Sequence, residues 1–208
     1  MIEDVSNREK APLGRPRAFD ADEALERALL VFWARGYEGA SLTDLTDAMN
    51  ITKTSMYAAF GNKEQLFRKA LDRYTEGPAS YGLRAMQEKT AAAVATAFLH
   101  GAVETTTGPG HPSGCLGVQG SLASGDAGEP ARAMLVEWRQ TARQHLQDRF
   151  QRAIDEGDLP PHANARQLSC YIMTVAFGIA VQAATGVAAA ELHDVADQAL
   201  SNWPPGRD

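Results

Sequence analysis

Apolar side chains near the N-terminus recur with the period of a helix. After Asp20, a side chain suited to capping, Leu25, Ala28, Leu29, Phe32 and Trp33 fall at i, i+3, i+4, i+7 and i+8, one stripe that Gly36 ends. Ser41-Leu42-Thr43-Asp44 reads as a capping box with Asp in place of the usual Glu, and predicts a helix that buries Leu42, Leu45, Ala48 and Met49. In the following Asn50-Ile51-Thr52, Asn50 suits a left-handed turn, Ile51 plugs the core and Thr52 caps what comes next. That is a third, short helix from Lys53 to Phe60, with Met56 and Phe60 facing inward. Gly61 breaks it, and Asn62-Lys63-Glu64-Gln65 caps a fourth helix carrying Leu66, Phe67, Ala70, Leu71 and Tyr74.

Beyond Tyr74 the pattern predicts helical elements near 78–88, 90–106, 115–124, 130–157, 164–186 and 188–202, the first of them a continuation of the fourth helix after a kink at Pro78. The long one starts at Pro130 and carries the stripe Ala131, Met134, Leu135, Trp138, Ala142, Leu146, Phe150 and Ile154. Arg139, Arg143, Asp148, Arg149 and Arg152 lie largely outside that stripe. No segment alternates with a strand's period, so the class is all-α. Between about Asn164 and Gly186, Leu168, Ile172, Val175 and Ile179 form one apolar face, and Cys170, Met173, Phe177 and Val181 another. One face suits the chain's own core and the other a second subunit, with Gly178 permitting close approach.

Composition adds limits. With 44% hydrophobic and 22% charged residues the chain is globular rather than disordered. The polar start MIEDVSNREK carries no secretory signal, and two distant cysteines suit a reducing cytosol, so a cytoplasmic location is expected. Gln167 to Ala190 holds no charge and is long enough to span a bilayer, but Ser169, Thr174, Gln182 and Thr185 interrupt it and neither flank is basic, so no membrane partner is expected. The formal net charge is −6, yet it is unevenly placed. Residues 8–19 hold Arg8, Lys10, Arg15 and Arg17 against Glu9, a local +3. Residues 52–74 hold Lys53, Lys63, Arg68, Lys69 and Arg73 against Glu64 and Asp72, again +3, while residues 76–208 carry −5. Two basic segments near the short helices point to nucleic acid.

Two short helices joined by a tight turn and braced on both sides are the arrangement that places a second helix in a major groove. The outward face of the third helix carries Lys53, Thr54, Ser55 and Tyr57 at its N-terminal end, where backbone amides favour phosphate. The runs Gly36–Leu45, Ile51–Phe60 and Asn62–Phe67 resemble the DNA-binding domain of the TetR/AcrR repressor family over about residues 19–75. The resemblance implies a homodimer, a palindromic double-stranded DNA operator, and a C-terminal domain that binds a small-molecule effector and forms the dimer. It divides the chain into a flexible basic arm (1–18), a three-helix helix-turn-helix domain (19–75) and an effector-binding and dimerisation domain (76–208). Thr52, Lys53, Thr54, Ser55 and Tyr57 match the recognition helix. Tyr57 and Lys63 match phosphate contacts, and Thr43 a backbone contact. Ala58 and Ala59 offer no hydrogen bond to a base, which leaves Lys53 as the strong donor and makes direct base readout sparse. Arg15 and Arg17, in Gly14-Arg15-Pro16-Arg17, suit a narrow minor groove.

The effector site is less legible. Phe98, Met134, Trp138, Tyr171 and Phe177 are candidates to line a cavity. Cys115 joins them, either as a thiol sensor whose pKa a helix N-terminus lowers or as a buried structural residue. Cys115 with His111 or His100 also suggests a nucleophile pair, and His111 with Cys115 a metal clip. Neither has a third group at a recognisable spacing, so no catalytic residue, metal or cofactor is expected. A helical adaptor without DNA binding is the remaining rival, and the set Thr52–Ser55, Tyr57 and Lys63 argues against it.

Overall fold

The computed structural model describes residues 19–118 and 128–204, and every regular element among them is helical. Arg15 and Arg17 lie outside the described residues, as does most of the helix expected at 115–124, of which residues 116–118 are helical.

Four helices form the head: α1 (Ala21–Gly39), α2 (Leu42–Met49), α3 (Lys53–Phe60) and α4 (Lys63–Glu76). Local chemistry starts each one. Asp20 accepts from the amides of Asp22 and Glu23 and caps α1. Both reciprocal bonds of the Ser41/Asp44 capping box are present at α2, and a second box, Asn62/Gln65, opens α4. Gly36, at φ 70° and ψ 177°, interrupts α1 where the sequence predicts its end, and one further helical turn follows it. Asn50 takes the left-handed conformation (φ 54°, ψ 44°) that turns the chain between α2 and α3.

Packing follows the predicted stripes. α1 lies against α2 and α4, and Phe67 meets Phe32 edge-on at 5.0 Å between ring centroids. Full burial of a side chain such as Phe67 contributes about 1.5–3 kcal/mol. Leu45 and Met49 are buried, whereas Leu42 and Ala48 stay partly exposed. Thr46, whose hydroxyl donates to the Leu42 carbonyl, takes a buried place instead.

A 3-10 turn at Pro78–Ser80 separates α4 from α5 (Tyr81–Ala85), and the body continues with α6 (Ala91–Thr107), α7 (Glu129–Asp155), α8 (Ala165–Ala184) and α9 (Ala189–Leu200). α8 packs against α6, α7 and α9. By length and composition it passes for a membrane span, but Leu168, Ile172, Ala176 and Ile179 bury it in the body. Arg149 departs from expectation: it is buried, and its Nη2 donates to the carbonyls of Glu88 and Lys89, tying α7 to the segment between α5 and α6.

Head and body share a core. Trp33 of α1 donates its indole N–H to the Gly114 carbonyl (3.0 Å) and stacks on His111 (4.5 Å, 13°). Tyr74 of α4 meets Trp33 edge-on and donates to Cys115 Sγ (3.2 Å).

Candidate functional site

α3 is the exposed helix of the head. Met56 and Phe60 turn inward, while Lys53, Thr54, Tyr57, Ala58 and Ala59 face solvent. Tyr57 is 48% exposed, unusual for an aromatic side chain on so short an element. Thr52 caps the helix by accepting from the Ser55 amide, and its hydroxyl lies 3.0 Å from the Ser55 hydroxyl. The amides of Lys53 and Thr54 are left without an intrahelical acceptor. Unlike α2 and α4, α3 has no acid in its first turn, so nothing on the helix itself neutralises its positive end. Thr43 is exposed at the corresponding end of α2.

Lys63 opens α4, with Nζ 4.4 Å from the centre of the Tyr37 ring. Burial lowers its pKa and the nearby Glu38 works against that shift. Not every cation of the basic segment is available: Arg73 bonds Glu26 (3.1 Å) and approaches Asp22 (3.7 Å). Arg35, from the preceding helix, pairs with Asp44 at 2.6 Å. The Ser41 and Arg35 bonds hold the Asp44 carboxyl below the usual carboxylate range, with Ser41 the larger cause.

Two small cavities open between α4, α5, α6, α7 and α8. The outer one, about 120 Å³, is lined by Thr75, Leu83, Met86 and the exposed Thr141 and His145, among others. The inner one, about 50 Å³, is lined by Tyr81, Thr106, Cys115, Met173 and Phe177 and neighbouring alanines. Ala79, Gly82, Phe98, Trp138 and Ala142 border both. Of the expected lining residues, Phe98, Cys115, Trp138 and Phe177 are therefore brought together, and Met134 and Tyr171 line neither cavity. Met134 is packed into the core shared by head and body. Tyr171 stacks near Trp203 and donates to the Ala199 carbonyl. The sequence pattern misses Tyr81 and Gly82, which sit on a five-residue helix too short to show a period.

Of the two roles open to Cys115, the surroundings favour the buried one. Burial pushes its thiol up, outweighing the bonds from Tyr74 and the Gly117 and Val118 amides that pull it down. The thiol is therefore protonated at neutral pH, as a buried structural cysteine is. The rival pairings do not form. His111 is stacked on Trp33, and His100 bonds His193 (2.7 Å) and Asp197 (3.0 Å). Among the described residues no cluster of three or more His, Cys, Asp or Glu side chains is arranged to hold a metal.

Comparison with known proteins matches residues 24–70 to the model for bacterial regulatory proteins of the tetR family, and residues 91–199 to a tetracyclin repressor-like C-terminal domain. The HTH-type transcriptional repressor ComR of Escherichia coli (strain K12) is 30% identical over 210 residues, covering 98% of each chain. A second repressor of that organism, BdcR, is 36% identical over 70 residues, 34% of this chain and 36% of its own. Among solved structures, a cysteine mutant of the TetR family transcriptional regulator CifR, complexed with 26-bp double-strand operator DNA, superposes with a TM-score of 0.87. It is 40% identical, and the match covers 91% of this chain and 100% of that one.

Proposed function

The chain belongs to the TetR family of DNA-binding transcriptional regulators, and from that premise we propose that it is a cytoplasmic repressor that grips a palindromic operator as a homodimer and lets go when a small molecule fills its cavity. The observation that carries this reading is the exposed, acid-free face of α3 beside the Tyr37-held Lys63. Thr43, Thr52, Lys53, Thr54, Ser55, Tyr57 and Lys63 contact the duplex, mostly at phosphates, and Arg15 and Arg17 of the arm (1–18) enter the minor groove. The head (19–75) reads the site, and the body (76–208) dimerises and senses the effector.

The dimer face fits α8 and α9. Cys170 and Gly178 are exposed, a Cβ on Gly178 would meet nothing, and Val181 and Val195 stand 41% and 47% exposed. Two-fold symmetry there sets two α3 helices about one DNA turn apart.

Release is supported by two hydrogen-bonded routes from cavity to head. Trp138 donates to Thr75 Oγ1 (2.8 Å), which donates to the Leu71 carbonyl of α4. Cys115, in the inner wall, adjoins the Gly114 carbonyl that holds Trp33 of α1. A molecule that displaces Trp138 or the 114–118 segment moves the helices that carry the DNA contacts.

An electrophoretic shift on the promoter regions flanking the gene tests the reading. Retardation reversed by a small molecule is the expected result; no retardation of any promoter DNA would instead favour a helical adaptor. Replacing Arg15 and Arg17 by Ala is expected to weaken binding and flatten its salt dependence by about 0.9 in slope per lost phosphate contact.

A further inference from the structure

The two cavities share five wall residues and so adjoin, an outer and an inner lobe. No aspartate, glutamate, lysine or arginine lines either lobe. Most polar groups in the wall are already engaged: the Thr75 hydroxyl donates to the Leu71 carbonyl, the Thr106 hydroxyl to the Ala102 carbonyl, and Cys115 Sγ accepts from Tyr74. Thr141 and His145 stand exposed at the outer mouth. Deeper in the wall, the Tyr81 phenol is different. It lines the inner lobe, its ring wedged against Gly101 and edge-on to Phe98, and its hydroxyl has no hydrogen-bond partner among the described residues.

We propose that the adjoining lobes open into one space for an uncharged molecule built on one small ring and carrying a single hydrogen-bond acceptor, with the ring in the outer lobe against Trp138 and Phe98 and the acceptor facing the Tyr81 phenol. The size argument is direct, because an apolar cavity of about 150 Å³ admits benzene, and the outer lobe offers about 120 Å³. The charge argument is as strong. A carboxylate or ammonium group carried inward past the exposed His145 would give up its water with no side-chain ion to replace it. The phenol selects for an acceptor, since a purely apolar occupant leaves its O–H buried and unbonded. This inference rests on the effector reading, but its binding test does not depend on DNA.

Acetophenone, ethylbenzene and benzoate share a ring and differ in acceptor and charge. Titrated into the full-length protein and followed by tryptophan fluorescence, which Trp138 reports from the wall, acetophenone is expected to bind. Ethylbenzene should be weaker by about fivefold, the loss of one hydrogen bond, and benzoate by more than about tenfold. In Tyr81→Phe the preference for acetophenone over ethylbenzene disappears while ethylbenzene binding is kept. Ala142→Leu, which fills the shared wall, weakens both. Benzoate binding as tightly as acetophenone, no binding of any of the three, or a preference that survives in Tyr81→Phe would each overturn the proposal. Operator binding by the same preparation is scored separately. A protein that holds its operator but binds none of the probes sinks this inference alone, and one that binds acetophenone yet never holds DNA sinks the regulator reading alone.

Discussion

A lysine at the first position of a helix is electrostatically misplaced, because its charge faces the positive end of the backbone dipole at a cost of a few tenths of a kcal/mol, about 0.3–1. Lys63 holds that position in α4, steadied by the Tyr37 ring and partly desolvated. A phosphate at the same spot reverses the sign, since lysine and helix end then act together. Lys63→Met and Lys53→Met are each expected to leave the fold intact and to reduce the slope of log K against log salt by about 0.9. Fluorescence anisotropy with a labelled operator over a range of KCl concentrations measures this, and an unaltered slope removes that lysine from the interface. Asn50 is a structural counterpart. Its φ of 54° sets the turn between α2 and α3, so Asn50→Val should lose about 1–2 kcal/mol in a denaturant melt while Asn50→Gly stays close to the parent.

At the scale of elements, the segment from Gly108 to Val118 joins what the helices separate. It hands a carbonyl to Trp33 at Gly114, a thiol to Tyr74 at Cys115 and a second carbonyl to Arg139 at Gly117. Gly117 is there because the Trp138 ring fills the space where a Cβ would stand. Gly117→Ala is therefore expected to cost about 1–3 kcal/mol by overpacking. Trp33→Phe keeps an aromatic ring under His111 but orphans the Gly114 carbonyl, a loss of about 1–3 kcal/mol. Thermal or urea melts report both. A Trp33→Phe protein with parental stability would show that the indole bond does not tie head to body.

Over the whole molecule, charge and shape divide the work. The acidic body would repel a duplex that the basic head attracts, and α8, uncharged beyond Arg166, supplies both an internal wall and an outer face. Val181→Glu places an unpaired carboxylate on that outer face. It is expected to weaken the dimer by at least about tenfold, seen as a shift toward monomer in analytical ultracentrifugation, with loss of operator binding and retention of helical circular dichroism. A Val181→Glu protein that stays dimeric moves the interface elsewhere.

The helices of the head, their caps and the Asn50 turn were determined by the sequence alone, because each depends on bonds that reach no further than about four residues along the chain. The same holds for the inward stripes of α1, α3 and α4 and for the polar face of α3. Only the tertiary structure decided the rest. Trp33 and Gly114, which share a hydrogen bond, stand 81 residues apart, and no period in the sequence pairs them. Met134 and Tyr171 look like cavity residues by type, yet the helices that close on them make them core. Arg149 reads as solvent-facing and is buried, where its Nη2 reaches the carbonyls of Glu88 and Lys89 across the fold. The sequence left Cys115 two roles, and burial rather than a helix end governs its thiol. A cavity is the space that distant elements leave between them, so its walls, its volume and the unpartnered Tyr81 phenol become visible only once those elements have packed.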